Sequence, residues 1–366
     1  MKKLFIVVIA TFTLWLNPYN VFAADIHGLY EAEVPVFGQD QEQRDEAMQS
    51  ALLEVLIKVS GSGDIANRPE MAEFLAKPSQ FVEQYRYRNR PSDKPFSEGE
   101  NSSTQLLWVS FDKQAINKLL TNKGLPIWGH SRPTVLVWLA IQDQGDRYLL
   151  GTGSSSSEFQ VALQHAAQRR GLPFLLPLLD LQDQISLKVS DVWGDFQEQI
   201  LKASARYQTE AILVGRIYQD AGLQWHAQWG LYANGDRLHW ELEGPSQDFV
   251  LDGGVGGAAD ALAQRYAQVV LNEGTQDAFT IMVTDVHSLS DYARLTKYLE
   301  SLASVRNAQA VLIDKSNITF RLNISSSQQG VAQTIALGSV LVPASTEGNT
   351  TNPQPNGVDR QYRLLP

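Results

Sequence analysis

The apolar run from Thr134 to Ile141, TVLVWLAI, constrains the fold of this chain more than any other segment. Strands of this composition are usually covered on both faces, because a strand with one face in water alternates apolar and polar residues. Phe174 to Leu179 and Ala211 to Tyr218 also read as strands, and helical patterns separate the three segments, one of them at Phe196 to Tyr207. This alternation predicts parallel pairing through right-handed crossovers. We therefore expect a central α/β sheet.

A hairpin and a helix complete the same block. Leu223 to Tyr232 and Arg237 to Leu242 flank Asn234-Gly235, a favoured tight-turn dipeptide. The predicted final helix runs from Ala258 to Leu271 and ends at Gly274. At the other end of the block, Ser155-x-x-Glu158 has the spacing of a capping box, which explains a serine-rich turn without catalysis.

The N-terminal block changes its hydrophobic period early. Leu29 to Val36 alternates apolar and charged residues, and Pro35 indicates an edge strand. The next apolar residues share one helix face and end at Gly61 and Gly63, as glycine helix stops do. The remaining predicted elements are a short helix at Pro69 to Ala76, strands at Phe81 to Tyr87 and Leu106 to Phe111, and a helix at Lys113 to Leu120. These elements predict a small α+β unit.

The C-terminal block has another order. The predicted elements are a strand at Phe279 to Val286, a helix at Leu289 to Leu302, a hairpin of Ala308 to Ile313 with Ile318 to Ile324, and a helix at Gln328 to Leu337. The last strand is either Val340 to Val342 or Tyr362 to Leu365. The order β-α-β-β-α-β is that of ferredoxin-like domains.

The length of 366 residues favours several domains, because one hydrophobic core rarely organises more than about 250–300 residues. We expect a multidomain chain of α/β and α+β class. Its predicted parts are a signal peptide at 1–23, an N-terminal α+β domain at 24–130, a central mixed α/β sheet domain with a Trp-bearing hairpin at 131–275, and a C-terminal ferredoxin-like domain at 276–366 with a flexible Thr/Asn/Pro-rich segment at 343–359.

The first residues predict export. Met1-Lys2-Lys3 precedes the apolar run Leu4 to Leu16, and Val21-Phe22-Ala23 places small residues where a signal peptidase reads them. The apolar run is shorter than the roughly 20 residues of a membrane anchor. We expect cleavage between Ala23 and Ala24, release into the periplasm of a Gram-negative cell, and no stable membrane insertion of the mature chain.

Composition excludes several kinds of function. The chain has no cysteine, so thiol nucleophiles, thiolate metal sites and a lipidated N-terminus are excluded. Loss of Lys2 and Lys3 with the leader changes the formal net charge from −10 to −12. An acidic chain repels phosphate backbones, so nucleic acid is not an expected partner.

One glycine-rich motif resembles a cofactor site. Gly254 to Ala259 fits G-x-G-x-x-A, but a dinucleotide site also needs an acid at the end of the next strand. Asp277 precedes its strand, and Asp285 lies too far along. We interpret the motif as a glycine-rich entry into a helix and expect no cofactor.

Catalytic and metal signatures are equally incomplete. Ser110-x-x-Lys113 has the S-x-x-K spacing of penicillin-recognising enzymes. However, Ser110 ends a predicted strand, and Asp112 is predicted to cap a helix. The six histidines lack metal-ligand spacing, and only His226 and His239 could meet, across the hairpin. We expect no metal and nominate no catalytic residue, so the chain is predicted not to be an enzyme.

Aromatic residues mark the hairpin. Trp225, Trp229 and Leu231 share one strand face, and Trp240 lies on the neighbouring strand. A carbohydrate-stacking platform has this pattern, and so has an ordinary core, which is the commoner reason for an aromatic stripe. We keep Trp225, Trp229 and Trp240 as a possible ligand or partner surface.

The chain resembles a known family. Leu29 to Val36, Val55 to Gly61, the run RPTVLVWLA from Arg132 and the closing Gln361-Tyr362-Arg363 resemble the proteobacterial periplasmic family called domain of unknown function twenty-sixty-six. That resemblance implies no activity and no site residue. The middle block, with Ala211 to Arg216, is also similar to α/β domains of envelope assembly proteins, namely the amino-terminal domain of the Tol-system propeller protein and the curli secretion family.

We therefore predict a non-enzymatic periplasmic protein that binds another envelope protein. Two alternatives stay open. A carbohydrate- or peptidoglycan-binding module requires Trp225, Trp229 or Trp240 to be exposed. A periplasmic hydrolase with an unrecognised site requires Ser110, Lys113 or His130 to cluster in a cleft.

Overall fold

A computed structural model describes residues 28–89, 105–143, 145–153, 158–269, 277–338, 340–344 and 357–365. The predicted leader with Ala23 and Ala24, the Ser155 cap and most of the segment 343–359 lie outside these residues. The described part is a mixed α/β chain with several sheets and ten α-helices. None of the helices in these ranges combines the length and the hydropathy that a membrane span requires.

The N-terminal unit is an antiparallel sheet with helix α1 on one face. Its elements are β1 (Glu31–Val36), α1 (Gln41–Ser60), α2 (Ala72–Leu75), β2 (Val82–Asn89), β3 (Gln105–Phe111), α3 (Lys113–Asn122) and β4 (Pro126–Ile127). The strand order β1-β3-β2 makes β1 an edge strand, as Pro35 predicted. Asp40 caps the start of α1 by accepting from the Gln43 N–H, and Gly61 ends α1 in the left-handed region at φ 76°. Leu52, Val55 and Leu56 of α1 are fully buried in this core.

The central unit is a mixed sheet covered on both faces. Its elements are β5 (Val135–Asp143), β6 (Asp146–Leu149), α4 (Glu158–Arg170), β7 (Phe174–Leu175), α5 (Leu181–Ser186), α6 (Val189–Trp193), α7 (Gln197–Ser204), β8 (Ala211–Gln219), β9 (Trp225–Ala233), β10 (Asp236–Gly244), α8 (Gln247–Tyr266) and β11 (Gln268–Val269). The order is β10-β9-β8-β5-β6, and β7 also pairs with β5. Strand β5 is parallel to β7 and β8, as its composition predicted, and is buried from Val135 to Ile141.

The hairpin and the strand Ala211 to Tyr218 before it were predicted correctly, but the strand Phe174 to Leu179 was not. Asn234 and Gly235 both have positive φ, at 53° and 85°, which is the conformation a tight hairpin turn needs. The predicted strand Phe174 to Leu179 was wrong in length: only Phe174 and Leu175 pair, and Leu179 lies in the left-handed region at φ 53°. Helices α5 and α6 were missed because each is at most six residues long, too short to show a helical period.

The largest correction concerns α8. The helix begins at Gln247, where Ser246 caps it by accepting from the Phe249 N–H, and not at Ala258 as predicted. It ends at Tyr266 and not at Leu271. The G-x-G-x-x-A motif therefore lies inside a helix, where the backbone N–H groups are used by intrahelical hydrogen bonds. The interpretation as a glycine-rich helix entry was wrong, and a phosphate-binding loop is excluded for the same reason.

The glycines of α8 allow the helix to approach the tryptophans of the sheet. A Cβ on Gly254 would lie 2.0 Å from the Trp229 indole, and a Cβ on Gly257 would lie 2.9 Å from the Trp240 indole. Real Cβ atoms do not make contacts this short with a ring that cannot move. Close packing of helix and sheet therefore explains the motif.

The C-terminal unit is a five-stranded sheet with two helices. Its elements are β12 (Asp277–Thr284), α9 (Leu289–Ser301), β13 (Val305–Asp314), β14 (Asn317–Ile324), α10 (Gln328–Leu337), β15 (Leu341–Pro343) and β16 (Arg360–Leu364). The order is β13-β14-β12-β16-β15, in which β12 and β16 are parallel. Both candidates for the last strand form: β16 lies beside β12, and β15 takes the edge.

We expect Gly254→Ala to lower the free energy of unfolding by about 2 kcal/mol, because overpacking a filled core costs about 1–3 kcal/mol. In an ordinary helix interior the same change would gain about 1 kcal/mol. Gly256→Ala is the matched control, because its Cβ would meet only the tip of the Arg170 side chain, at 3.4 Å. Denaturant unfolding of both variants measures the difference. Equal stability of the two variants would contradict the packing role of Gly254.

Candidate functional site

A cleft of about 1110 Å³ lies between the N-terminal and central units. We call it the interunit cleft. Its first wall is β1 with the flank of α1, including Leu53 and Ile57, and its second wall is the end of α4 with the segment Gly171 to Phe174. Trp108 and Arg88 extend the first wall across the outer face of the N-terminal sheet. The cleft is lined by residues from both faces of β1, so it runs along the unpaired edge of that strand.

Arg132 joins the two walls beneath the cleft. Its side chain is fully buried, and its guanidinium lies 4.1 Å from the centre of the Trp128 ring. All five of its N–H groups donate to backbone carbonyls. The acceptors are Lys58 O at 2.6 Å, Trp128 O at 2.8 Å, Gly171 O at 2.9 Å, and Gly129 O and Arg170 O at 3.0 Å each.

The positions of these carbonyls explain why a buried cation is stable without a carboxylate. Lys58 is in the last turn of α1, and Arg170 ends α4, where carbonyls lack intrahelical partners and carry partial negative charge. One guanidinium therefore supplies a donor to a carbonyl at each of the two helix ends. Burial lowers the pKa of Arg132 to about 9, which still leaves it charged at neutral pH.

Arg170 and Asp260 add a second link between the units. The Arg170 Nη2 donates to Gly61 O at 3.0 Å and forms an ion pair with Asp260 of α8. The Asp260 carboxylate also accepts from the Gly63 N–H at 2.8 Å. The end of α1 is therefore held by residues of α4 and α8, which fixes the shape of the interunit cleft.

The charged side chains of the first wall are already paired. Lys58 Nζ lies 2.7 Å from Glu54 and donates to Glu31 O at 2.8 Å. Arg88 lies 3.2 Å from Glu33. The Trp108 indole N–H donates to the Glu31 carboxylate at 3.1 Å.

The tryptophans predicted as a possible surface pack against the core. Trp229 is fully buried, and its indole N–H donates to Val250 O at 3.2 Å. Trp240 pairs with Trp229 across the hairpin, as expected, and Trp225 packs on Phe159 with ring centres 5.8 Å apart. Both are only partly buried, but they face the helices of the main core. The three side chains therefore do not form an open stacking platform.

The two hairpin histidines do not meet. His226 pairs in register with Glu243, and His239 pairs with Gly230, so the hairpin does not bring together the two histidines that the sequence allowed to meet. His226 instead lies 2.9 Å from Asp220 and stacks on Tyr218 with ring centres 5.0 Å apart. Among the described residues there is no group of three or more His, Asp or Glu side chains able to hold a metal ion.

The hydrolase candidates are only partly gathered. Lys113 lies 5.9 Å and His130 6.4 Å from the Tyr30 ring, so both lie near one side chain. Ser110 is part of β3 and pairs with Glu31 of β1. Asp112 accepts from the N–H groups of Gln114 and Ala115, so its predicted role as a helix cap is confirmed.

Sequence reasoning missed the interunit cleft, although it used the right residues. Lys58, Gly61 and Arg132 all belong to the motifs that carried the family resemblance, and they meet at the junction of α1 and α4. The periodicity of each segment gave no signal that these motifs contact one another. The only hint was a charged residue, Arg132, three residues before the start of the buried strand β5.

Comparison with known proteins assigns no activity to this site. The model of a domain of unknown function (DUF8605) matches residues 23–129, which include the whole N-terminal unit as far as β4. No curated protein matches the chain.

We expect Arg132→Met to lower the free energy of unfolding by about 3 kcal/mol or more, because buried carbonyls would lose their donors. The stability of Arg132→Lys should lie between that of the unchanged chain and that of Arg132→Met, since an ammonium has three donors where the guanidinium has five. Arg265→Met is the control, because that ion pair with Asp236 is solvent-exposed and contributes about 1 kcal/mol or less. Denaturant midpoints check the order, and an Arg132→Met protein as stable as the control would refute it.

We expect the ring of His226 to titrate above its ordinary range, because Asp220 first and Glu243 second raise its pKa, while the same contact lowers the pKa of Asp220. The His226–Asp220 contact stabilises the fold at pH values between the folded pKa of Asp220 and the folded pKa of His226. It is lost as pH rises through the folded pKa of His226, or falls through that of Asp220. Titration by NMR should show the His226 pKa falling in Asp220→Asn and changing less in Glu243→Gln. An unchanged value in Asp220→Asn would contradict the assignment.

Proposed function

We propose that this chain is an exported, non-enzymatic protein of the Gram-negative envelope that binds another envelope protein in the interunit cleft. The observation that carries this proposal is the cleft itself. Small-molecule pockets usually measure about 300–1,000 Å³ and are enclosed, whereas this cleft is larger and runs along a strand edge between two units. Its shape suits a polypeptide segment.

The chemistry of the walls favours binding over catalysis. A general acid, base or nucleophile needs a reactive side chain aimed into the site with a partner that activates it. Lys58 and Arg88 are held by Glu54 and Glu33, and Arg169 is held by Asp252. Leu53 and Ile57 supply apolar contact area beside these pairs.

Export, family and domain architecture belong to the same proposal. We infer cleavage between Ala23 and Ala24 from the leader pattern, and membership of the family of domain of unknown function twenty-sixty-six from the motifs around Arg132. For the C-terminal unit we infer a ferredoxin-like domain. The strand order β13-β14-β12-β16 supports this, with the helices α9 and α10 as the two crossovers and β15 as an addition at the edge.

The two alternatives have less support. Stacking on Trp225, Trp229 and Trp240 requires open ring faces, and Trp229 has none. Hydrolysis requires a base that activates Ser110, and the carboxylate of its register partner Glu31 instead accepts from the Trp108 indole N–H at 3.1 Å.

The proposal is tested by placing a photo-crosslinking amino acid at Leu53 or Leu106, both in the cleft, in cells that express the full chain. The control position is Leu289, which is 82% exposed on α9. We expect one partner protein from both cleft positions and not from Leu289, and a processed chain that begins at Ala24 by mass spectrometry.

The partner, once purified, should bind the purified chain and lose about tenfold or more in affinity to Leu53→Arg, because a charge would enter the apolar wall. The same products from Leu289 as from the cleft, or full affinity for Leu53→Arg, would refute the proposal.

A further inference from the structure

The backbone groups of β1 point alternately toward β3 and into the interunit cleft. The Phe111 N–H donates to Tyr30 O at 2.9 Å, and the register continues as Glu31 opposite Ser110 and Ala32 opposite Val109. In an antiparallel ladder the hydrogen-bonded pairs alternate. The N–H and C=O of Glu31, Glu33 and Pro35 therefore face away from β3.

Part of this outward edge is already satisfied. The Glu31 N–H donates to Gly28 O at 3.1 Å, and Glu31 O accepts from Lys58 Nζ at 2.8 Å. Pro35 has no N–H. Proteins use such features to keep an exposed strand edge from pairing with other chains. Within the described ranges, the Glu33 N–H, the Glu33 C=O and the Pro35 C=O meet no hydrogen-bonding partner, so Glu33 is the position at the middle of β1 where both an outward donor and an outward acceptor stay free.

A strand added beside Glu33 would place its side chains alternately against two different surfaces. On the inner side lie Leu53 and Ile57, which are partly buried against the N-terminal core. On the outer side lie the carboxylates of Glu31 and Glu33, which would be the cross-strand neighbours of the new strand. Glu33 is paired with the exposed Arg88 at 3.2 Å, whereas the Glu31 carboxylate accepts from the neutral Trp108 indole, so Glu31 is the carboxylate that a basic side chain of the new strand would meet. The formal net charge of −10 favours a basic partner at longer range.

We propose that the interunit cleft binds an extended segment of its partner by strand addition to β1, through paired backbone hydrogen bonds at Glu33. The segment alternates apolar residues, which face Leu53 and Ile57, with basic residues, one of which faces Glu31 while the next competes with Arg88 for Glu33. This rests on the proposed function, because it specifies how the cleft holds a protein. A second copy of this chain is the competing occupant.

Glu33→Pro isolates the backbone interaction. It removes the one outward N–H without touching the ladder to β3, whereas Glu33→Ala removes the same carboxylate and keeps the N–H. Glu243→Ala controls for the loss of one acidic charge on an exposed surface of β10. Each variant must first show the circular dichroism and unfolding midpoint of the unchanged chain.

The probes are two labelled, end-blocked octapeptides, one alternating Val with Lys and the other Val with Glu. Fluorescence anisotropy with the purified mature chain should show the Val/Lys peptide binding about tenfold tighter or more, and Glu33→Pro binding it about tenfold more weakly than Glu33→Ala, which is the scale of a lost hydrogen-bond pair. Glu243→Ala should bind like the unchanged chain. Methylation of the peptide nitrogens that face β1 should abolish binding to the unchanged chain.

Equal affinity of Glu33→Pro and Glu33→Ala, or binding that survives peptide methylation, would overturn strand addition. If the protein crosslinked at Leu53 still binds Glu33→Pro fully, the cleft binds a partner in another way and only this inference fails. If Leu53 captures nothing specific, the proposed function fails as well. A crosslinked species consisting of two copies of this chain would replace the partner with self-association.

Discussion

The five hydrogen bonds of Arg132 are the interaction on which the arrangement of the first two units depends. Two helices, α1 and α4, end at the same point, where the carbonyls of Lys58 and Arg170 would otherwise be buried without donors. A planar guanidinium has five N–H groups in a fixed fork, and here each has an acceptor. A lysine could not make this set of contacts. The interunit cleft exists because Arg132 holds α4 and the segment after it opposite β1.

A second constraint acts on the same face of the central sheet, where α8 packs beside α4. Helix α8 reaches the sheet closely enough for Gly254 and Gly257 to contact Trp229 and Trp240, and it also carries Asp260 to the end of α1. The glycines that resembled a cofactor motif therefore set the distance between a helix and a sheet. Close packing in α8 and hydrogen bonding at Arg132 thus act together, because Asp260 binds Arg170 beside the Arg132 cluster.

Elements with a clear period were predictable, and the site was not. The apolar run of β5, the alternation of β1 and the turn at Asn234-Gly235 formed as expected, because burial of one or both faces leaves a local pattern. The start of α8 was predicted wrongly because glycines weaken a helical pattern in the sequence. The glycines are needed there because the Trp229 and Trp240 rings leave no room for a Cβ. Short helices such as α5 leave no period to detect. The cleft was missed because its walls, β1 and α4, are distant in the chain.

The sequence by itself determined the order of the longer strands and helices, the edge position of β1, the absence of thiol chemistry and the acidic surface, because these follow from local composition and periodicity. Only the tertiary structure decided that Arg132 closes two helix ends, that the tryptophans of the hairpin face the core, and that the free edge of β1 opens into a cleft. These features depend on which distant segments come into contact. Such contacts arise from the packing of whole elements, and no single stretch of residues records them.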